Sequence, residues 1–499
     1  MAYNQLKLGA LLSYIALAIN IIVGLIYTPW MINSIGREDY GLYTLSLSVI
    51  SLFVFDFGIG QSVTRFVAKY LSEGNQEKAN NCIGLVYKLY FYIDVIIFLI
   101  LTTLYFFIPE IYKELTPSEI EKFKIIYIAS AFFSVISFPF IPVNGILTAN
   151  EKFIQLKLCD LIHKLIIVVA MSACLLLGYG LYALVLVNVA AGLLTIAFKL
   201  FFIRRDTSTR VNILYKDKYE FREILSFSVW VTVKSLAERM IFTISPTILG
   251  IVSGSVEIAL FGIVNVLEGY VFSFAGALNG LFLSRVSKIT ASSDNDIMPL
   301  MLKVGRMLFL VVGFIIAGFI TVGKEFIQLW LGTEYEAVYI STVLIILPSL
   351  IYVPHEIGLT AITVQNKVKY QALVYICMSV INILVGLILA RLYGCLGLCI
   401  SIFAAYLFKV IGTDIILAKY MNINISLFYS NVIMKASGVF FLTIVLSHLF
   451  SFIPIYGIFG FLIRGCFMSV IYIVTMWLFS LNKEEKSFFY SLLKYSRNK

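Results

Sequence analysis

Residues 36–43 read GREDYGLY and lie between two long apolar runs. About 218 residues later, residues 254–261 read GSVEIALF, with glycine, an acid, leucine and an aromatic residue at the same spacing. Two further matches, between Tyr-Gly pairs and between asparagines, occur at nearly this offset: Tyr179-Gly180 with Tyr393-Gly394, and Asn150 with Asn366. Three matches at nearly one offset indicate an internal duplication.

The composition is that of a membrane protein. Apolar residues make up 60% of the chain and charged residues 13%, whereas soluble proteins have about 45–50% and about 25%. The apolar residues form about fourteen runs of roughly 20 residues, the length that crosses a bilayer as a helix. The first run, residues 8–35, is too long for a cleavable signal peptide. We therefore predict an all-α polytopic membrane protein with about 14 transmembrane helices.

The repeat offset corresponds to six spans, which predicts two parallel six-helix repeats plus two extra helices. The predicted parts are an N-terminal lobe of spans 1–6, a basic cytoplasmic linker, a C-terminal lobe of spans 7–12, and spans 13–14 with a tail: residues 1–205, 206–222, 223–420 and 421–499. Parallel repeats of this kind are typical of transporters that rock about a central site.

Lysine and arginine are distributed unequally between the two sides of the membrane. With the N-terminus inside, 29 of the 38 basic residues fall on the inner side and seven on the outer side. Because cytoplasmic loops are enriched in basic residues, both termini are predicted to be cytoplasmic. This topology also accounts for the net charge of +10 without a nucleic-acid partner.

Polar residues form stripes on several predicted spans. With the second span taken as one continuous helix, seven of its small or polar residues share a face: Thr44, Ser48, Ser51, Gly58, Ser62, Arg65 and Lys69. The glycines in such stripes serve either close helix packing or a cavity. Asn20 in the first span, and Asn265 and Glu268 in the eighth, are predicted to line a cavity because a lipid-facing polar group is costly.

Three charges lie near the middle of the seventh span: Lys234, Glu238 and Arg239. Lys234 and Glu238 are one turn apart and can neutralise each other, whereas Arg239 points about 140° away from Lys234. The alternatives are a structural ion pair and a cationic cavity for phosphate, a natural counterion of both cations. Lys234, Arg239 and Arg65 are the predicted substrate cations, and Glu238 is assigned to ion coupling or gating.

The tenth and second spans contain further titratable groups. His355-Glu356 follows Pro348 and Pro354, which predict a kink. This pair is either a proton or cation relay or a hydrogen-bonded structural pair, and the sequence favours neither. Asp56 is either a counterion to a nearby basic residue or a cation site. The cysteines and histidines are too scattered to predict a metal site.

Three motifs together resemble those of a known family: IGREDYGLY at residues 35–43, DFGIG at residues 56–60 and TRFVAKY at residues 64–70. With fourteen spans in a six-plus-six-plus-two order, the chain resembles the bacterial polysaccharide-biosynthesis flippases of the O-antigen translocase type. These belong to the multidrug/oligosaccharidyl-lipid/polysaccharide exporter superfamily. The resemblance extends over essentially the whole chain.

The resemblance implies a transporter and not an enzyme. Its substrate would be an undecaprenyl-pyrophosphate-linked oligosaccharide, moved across the bacterial plasma membrane by alternating access for O-antigen, capsule or exopolysaccharide synthesis. The implied partners are this lipid-linked oligosaccharide, membrane lipid and polysaccharide assembly proteins. No cofactor is implied, and coupling to H⁺ or Na⁺ stays open.

Two other functions fit the sequence less well. A cation-coupled multidrug exporter of the same superfamily needs a net acidic cavity, whereas Lys234 and Arg239 here balance Glu238 and Glu268. A membrane polymerase or ligase of glycans needs acid and base groups on a sizeable outer loop, and the predicted loops are short.

The predicted topology is testable with reporter tags. Tags after Lys499 and within residues 206–222 are expected to be cytoplasmic, and a tag near Thr116 is expected outside, because of the basic-residue distribution. Accessibility to a membrane-impermeant reagent in intact cells measures each position. An external C-terminus would require an odd number of spans and would contradict the duplication.

Overall fold

The computed structural model describes residues 21–54, 56, 59–279, 296–365, 367–450 and 457–481, together with residues 18, 286, 289 and 486. All regular structure in these residues is helical. Among them, ten helices are long and apolar enough to cross a membrane, and a pair bent by 44° forms an eleventh candidate. The prediction of an all-α polytopic membrane protein is confirmed, and the count of fourteen spans stays a prediction.

The chain forms two compact units. The first comprises Met1–Ile263 and Tyr375–Ser401, and the second comprises Val264–Val374 and Ile402–Lys499. The described helices up to residue 279 are α1 Ile21–Ile35, α2 Arg37–Phe53, α3 Ile59–Ser72, α4 Gln76–Ile111, α5 Pro117–Ser137, a 3₁₀ turn Phe138–Phe140, α6 Val143–Ala149, α7 Phe153–Leu176, α8 Leu181–Asp206, α9 Lys218–Phe242, α10 Ser245–Val252 and α11 Ser255–Asn279. The chain first passes from one unit to the other within α11.

The remaining helices belong mostly to the second unit. They are α12 Met298–Leu331, a 3₁₀ turn Thr333–Tyr335, α13 Ala337–Ile346, α14 Ser349–Tyr352, a 3₁₀ turn Val353–His355, α15 Glu356–Val364, α16 Val368–Met421, α17 Ile425–Phe428, a π-helical segment Tyr429–Met434, α18 Lys435–Phe450, α19 Gly457–Thr475 and a π-helical segment Met476–Ser480. The chain passes between the units within α11 and twice within α16.

The two copies of the repeated stretch contact each other in the first unit. A Cβ atom on Gly41 would lie 2.1 Å from the Ser255 carbonyl oxygen, so only glycine permits this approach of α2 to α11. In each copy the acidic side chain accepts a hydrogen bond from a neighbouring segment. Asp39 accepts a hydrogen bond from Lys122 at 2.6 Å, and Glu257 accepts one from the Cys395 backbone N–H at 2.6 Å.

The second span is not one continuous helix. Between α2 and α3 the backbone leaves the helical conformation, with φ −90° and ψ 80° at Val54. Asp56 accepts a hydrogen bond from the Gly60 N–H at 2.8 Å, so its carboxylate satisfies a donor in the first turn of α3. The prediction of one stripe from Thr44 to Lys69 on a single helix is therefore wrong. Gly58 lies outside the described residues.

Local sequence signals set several helix ends correctly. Thr116 caps α5, and Glu119 accepts a hydrogen bond from the Thr116 backbone N–H at 2.7 Å, which forms a capping box. The kink predicted in the tenth span is confirmed, because Pro348 and Pro354 fall where that span divides into short helices. The seventh span bends by 44° just before Pro246.

Ion pairs within each unit include Lys122 with Asp39 in the first and, in the second, Lys324 with Glu336 and Arg464 with Glu325. The order and the orientation of the membrane crossings stay predictions.

A buried arginine links the two π-helical segments of the second unit. The Arg306 side chain donates hydrogen bonds to the carbonyl oxygens of Asn431, at 3.2 Å, and Ser480. Asn431 lies within one π segment and Ser480 ends the other. In lipid a carbonyl group released from regular helical bonding needs another donor, and Arg306 supplies it.

Gly394 divides α16 into two arms, residues 368–393 and 395–421. Its φ of 57° and ψ of −135° suit glycine and no other residue well. The arms fold back on each other, and a Cβ on Gly397 would lie 2.0 Å from the Leu389 carbonyl oxygen. Ser401 also donates to the Asn382 carbonyl oxygen at 2.9 Å across the arms.

We predict that Gly397→Ala destabilises the protein by about 1–3 kcal/mol, because its methyl group would force the two backbones apart. Gly465→Ala is the matched control, since a Cβ at this position would have no neighbour within 4 Å and alanine favours a helix. Thermal unfolding in detergent measures both variants. Equal unfolding temperatures would contradict the close contact between the arms.

Candidate functional site

The charges of α9 face different neighbours. The half-buried Lys234 ammonium lies 5.7 Å from the centroid of the Tyr375 ring, a cation–π distance. Arg239 donates from Nη1 to the Ser51 carbonyl oxygen at 3.1 Å, close to the C-terminal end of α2. Glu238 is exposed, and these described residues do not form the Lys234–Glu238 ion pair that was one of the alternatives.

Arg239 also lies in the field of two carboxylates, those of Glu238 and Asp56. Asp56 accepts a hydrogen bond from the Tyr90 hydroxyl at 3.3 Å, in addition to the one from Gly60. A carboxylate held by two donors beside an arginine has the surroundings of a counterion. The geometry therefore favours the counterion alternative for Asp56 over a cation site.

The other predicted residues of the first unit are spread out. Arg65 is exposed on α3, with its guanidinium 5.8 Å from the centroid of the Phe66 ring. A Cβ on Gly262 would lie 2.7 Å from Thr44 Oγ1, so these two positions serve close helix packing. Asn20 lies outside the described residues.

The second unit contains a buried acid and a buried lysine. Glu268 is 8% exposed and is attracted by the Lys409 ammonium, whereas Asn265 on the same helix is exposed. The ammonium lies 4.7 Å from the ring centroid of Tyr352 and 5.1 Å from that of Tyr406. Two aromatic faces and a carboxylate thus compensate for the burial of this cation.

One turn beyond Tyr352, His355 forms the centre of a hydrogen-bonded group. Its Nε2 lies 2.8 Å from Asp414 Oδ1, and its Nδ1 lies 2.7 Å from the Ile351 carbonyl oxygen. The Tyr429 hydroxyl donates to Asp414 Oδ2 at 2.8 Å. The pairing of His355 with Glu356 is therefore wrong, because successive side chains on a helix point about 100° apart.

The hydrogen bonds of His355 constrain where protons reside. A carbonyl oxygen only accepts, so Nδ1 carries a proton. The contact between Nε2 and Asp414 needs a second proton, held either as imidazolium and carboxylate or as imidazole and carboxylic acid. Two titratable side chains of the second unit, His355 and Asp414, therefore share one proton across this contact.

The sequence interpretation missed Asp414 and Tyr429 and treated Lys409 only as an inner basic residue. A signal for two of them was present, because Lys409 and Asp414 both fall within the predicted twelfth span. Intramembrane charges normally have partners in the protein interior. The tenth span contains these partners, His355 for Asp414 and Tyr352 for Lys409.

Comparison with known proteins identifies the family. Residues 7–284, more than half of the chain, match the model of a family described as polysaccharide biosynthesis protein. The chain belongs to this family. No curated protein sequence matches this chain.

Solved structures with a similar fold include a lipid II flippase and two transporters of the MOP superfamily. The structure of the lipid II flippase MurJ in an inward closed conformation matches with a TM-score of 0.71 at 15% identity, covering 97% of this chain and 99% of that one. An inward-facing multidrug resistance MATE transporter of the MOP superfamily matches with a TM-score of 0.65 at 13% identity, covering 84% and 99%. A MOP superfamily transporter from Pyrococcus furiosus matches with a TM-score of 0.55 at 15% identity, covering 83% and 94%.

We predict that Asp414→Asn destabilises the protein by about 1–3 kcal/mol, because the carboxylate contacts both His355 and Tyr429 and hydrogen bonds to a charged group are stronger than those to a neutral amide. Thermal unfolding in detergent measures the difference.

Asp160→Asn is the matched control, because it makes the same charge change at a side chain that is 45% exposed and paired with Lys199. It should be destabilised by less than about 1 kcal/mol, because an exposed ion pair contributes little to stability. Equal destabilisation by the two substitutions would contradict the contribution of the buried hydrogen-bonded group around Asp414.

Proposed function

We propose that this protein is a flippase that moves an undecaprenyl-pyrophosphate-linked oligosaccharide from the cytoplasmic to the outer leaflet of a bacterial plasma membrane. One observation carries the proposal: a chain of the polysaccharide biosynthesis family has, over 97% of its length, the fold of a lipid II flippase. The substrate combines a prenyl tail, a pyrophosphate and a glycan. A membrane protein that handles it needs cations accessible from a polar space within the bilayer.

Arg239 is the foremost candidate for the phosphate contact. It is half-buried, and a guanidinium presents a planar set of donors that matches phosphate oxygens in pairs. Lys234 would be a second cation for the phosphate, with a compact ammonium in place of a planar guanidinium. The exposed Arg65 would be a third cation. Arg239 also holds the Ser51 carbonyl, so its contributions to packing and to transport must be measured separately.

The remaining polar residues divide between glycan contact and coupling. We propose that the exposed Asn265, together with Asn20, contacts sugar hydroxyls. Glu268 is buried beside Lys409, which suits a charge network better than direct substrate contact. His355 with Asp414 would couple transport to H⁺ in preference to Na⁺, because the group is built around a protonatable ring. Glu238, Glu356 and Asp56 stay proposed ion-coupling or gating residues, with Asp56 acting as a counterion of Arg239.

A cation-coupled multidrug exporter is the rival function, supported by the similarity to MATE transporters. Two observations disfavour it. The family model describes polysaccharide biosynthesis, and the MATE structure covers 84% of this chain against 97% for the lipid II flippase. Resistance to organic cations in a pump-deficient strain would support the rival function directly.

Complementation tests the function and the role of Arg239 together. The unsubstituted chain is expected to restore surface polysaccharide in a strain that lacks its own flippase and to clear the accumulated lipid-linked sugar, identified by mass spectrometry. Arg239→Ala should reduce this at least tenfold, because a phosphate ligand is lost. Arg239→Lys should retain part of the activity, because the charge survives without the fork.

The matched control is Arg391→Ala, which removes an exposed arginine of the same unit and should leave complementation unchanged. Membrane protein level and thermal unfolding separate transport from packing. If Arg239→Ala complements fully at normal expression, Arg239 is not a substrate ligand. If the unsubstituted chain clears no lipid-linked sugar but confers resistance to organic cations, the flippase function itself is wrong.

A further inference from the structure

A basic cavity lies in the first unit, away from the charges of α9 considered above. Its volume is about 540 Å³, and its walls come from α4, the 3₁₀ turn that follows α5, the segment that leads into α9, and the first turn of α9. Lys88, Lys216 and Lys218 line it. The half-buried Lys88 donates one hydrogen bond to the Tyr215 carbonyl oxygen at 2.6 Å, and an ammonium has three donors.

The carboxylate of Asp217 also lines this cavity, but it already accepts hydrogen bonds from the backbone. Asp217 caps α9, with Oδ1 accepting from the backbone N–H groups of Tyr219 at 2.8 Å and Glu220 at 2.9 Å. These hydrogen bonds, led by that from Glu220, hold the pKa of the Asp217 carboxyl below its ordinary value. Because that carboxylate already compensates the helix N-terminus, the three lysines give the cavity a net positive character.

An apolar path leads from this cavity along one face of α4. Phe91, Val95 and Phe98 follow Lys88 at helical spacing and are 61%, 45% and 52% exposed. Phe98 also lines a second cavity, of about 360 Å³, between α4 and α5, whose walls are almost entirely apolar. Ten residues of helix separate Lys88 from Phe98, about 15 Å, which is half the thickness of a bilayer core of about 30 Å.

We infer that the two cavities together bind one membrane lipid with an anionic phosphate headgroup. The phosphate contacts the three lysines, and an acyl or prenyl chain follows Phe91 and Phe98 into the cavity between α4 and α5. Charge selects the headgroup, because each lysine near an anionic lipid headgroup contributes about 1 kcal/mol, or about fivefold in affinity. The apolar path has the length of one leaflet. This inference is independent of the proposed transport function.

Native mass spectrometry of the purified full-length protein tests the headgroup. Dioleoyl phosphatidylglycerol should bind at least tenfold more tightly than dioleoyl phosphatidylcholine, and its binding should weaken as salt is raised. The double substitution Lys216→Ser with Lys218→Ser should weaken phosphatidylglycerol binding about tenfold or more. The control, Lys69→Ser with Lys78→Ser, removes two exposed lysines outside the cavity and should leave binding unchanged.

A substitution in the apolar cavity tests the tail. Ala131 lines this cavity, and Ala131→Trp should fill it. Phosphatidylglycerol with long chains should then bind about tenfold more weakly, while a short-chain form should bind as before. Equal effects on both chain lengths would overturn the assignment of the tail.

Any of three further results would overturn the headgroup site. The first is phosphatidylcholine binding as tight as that of phosphatidylglycerol, and the second is a loss of binding in the control pair as large as in the cavity pair. The third is complete displacement of the lipid by millimolar inorganic phosphate, which would make the cavity a site for free anions. Thermal unfolding without added lipid should be the same for both lysine pairs, so that a change in binding is not a change in folding.

Discussion

The structure depends on one constraint: within a bilayer, every backbone N–H and C=O must find a partner inside the protein. Unbroken helices meet this requirement by themselves, and interrupted helices do not. Charged side chains lie at several of the interruptions in the described part of the chain. Asp56 accepts from the start of α3, Arg239 donates to the end of α2, and Glu257 accepts from the backbone beside Gly394. Arg306 does the same for the carbonyl groups of the two π-helical segments.

Some of the side chains that satisfy the backbone are also the ones for which we propose transport roles. A polar side chain that is already held in place by hydrogen bonds to the backbone loses little further conformational freedom when it binds a ligand. In the first unit this applies to Arg239 between Ser51 and Asp56. In the second unit it applies to His355, whose ring is oriented by the Ile351 carbonyl and whose second nitrogen faces Asp414.

Glycine has a corresponding role in the contacts between helices. Gly41 lets α2 approach the start of α11, and Gly397 lets the arms of α16 touch. Because apolar lipid gives no hydrophobic reason for helices to associate, close packing at small residues contributes much of the attraction. The duplicated stretch thus marks a helix–helix contact in which both copies take part.

The sequence by itself determined the class of the protein and many helix ends. Apolar runs report directly on the surrounding lipid, and the Thr116 capping box and the breaks at Pro348 and Pro354 depend on neighbours a few residues away. The partners of the charges were decided only by the tertiary structure. His355 meets Asp414 across 59 positions, and Arg239 meets Ser51 across 188. Such pairings depend on which helix faces touch, and periodicity within one helix carries no information about its neighbour.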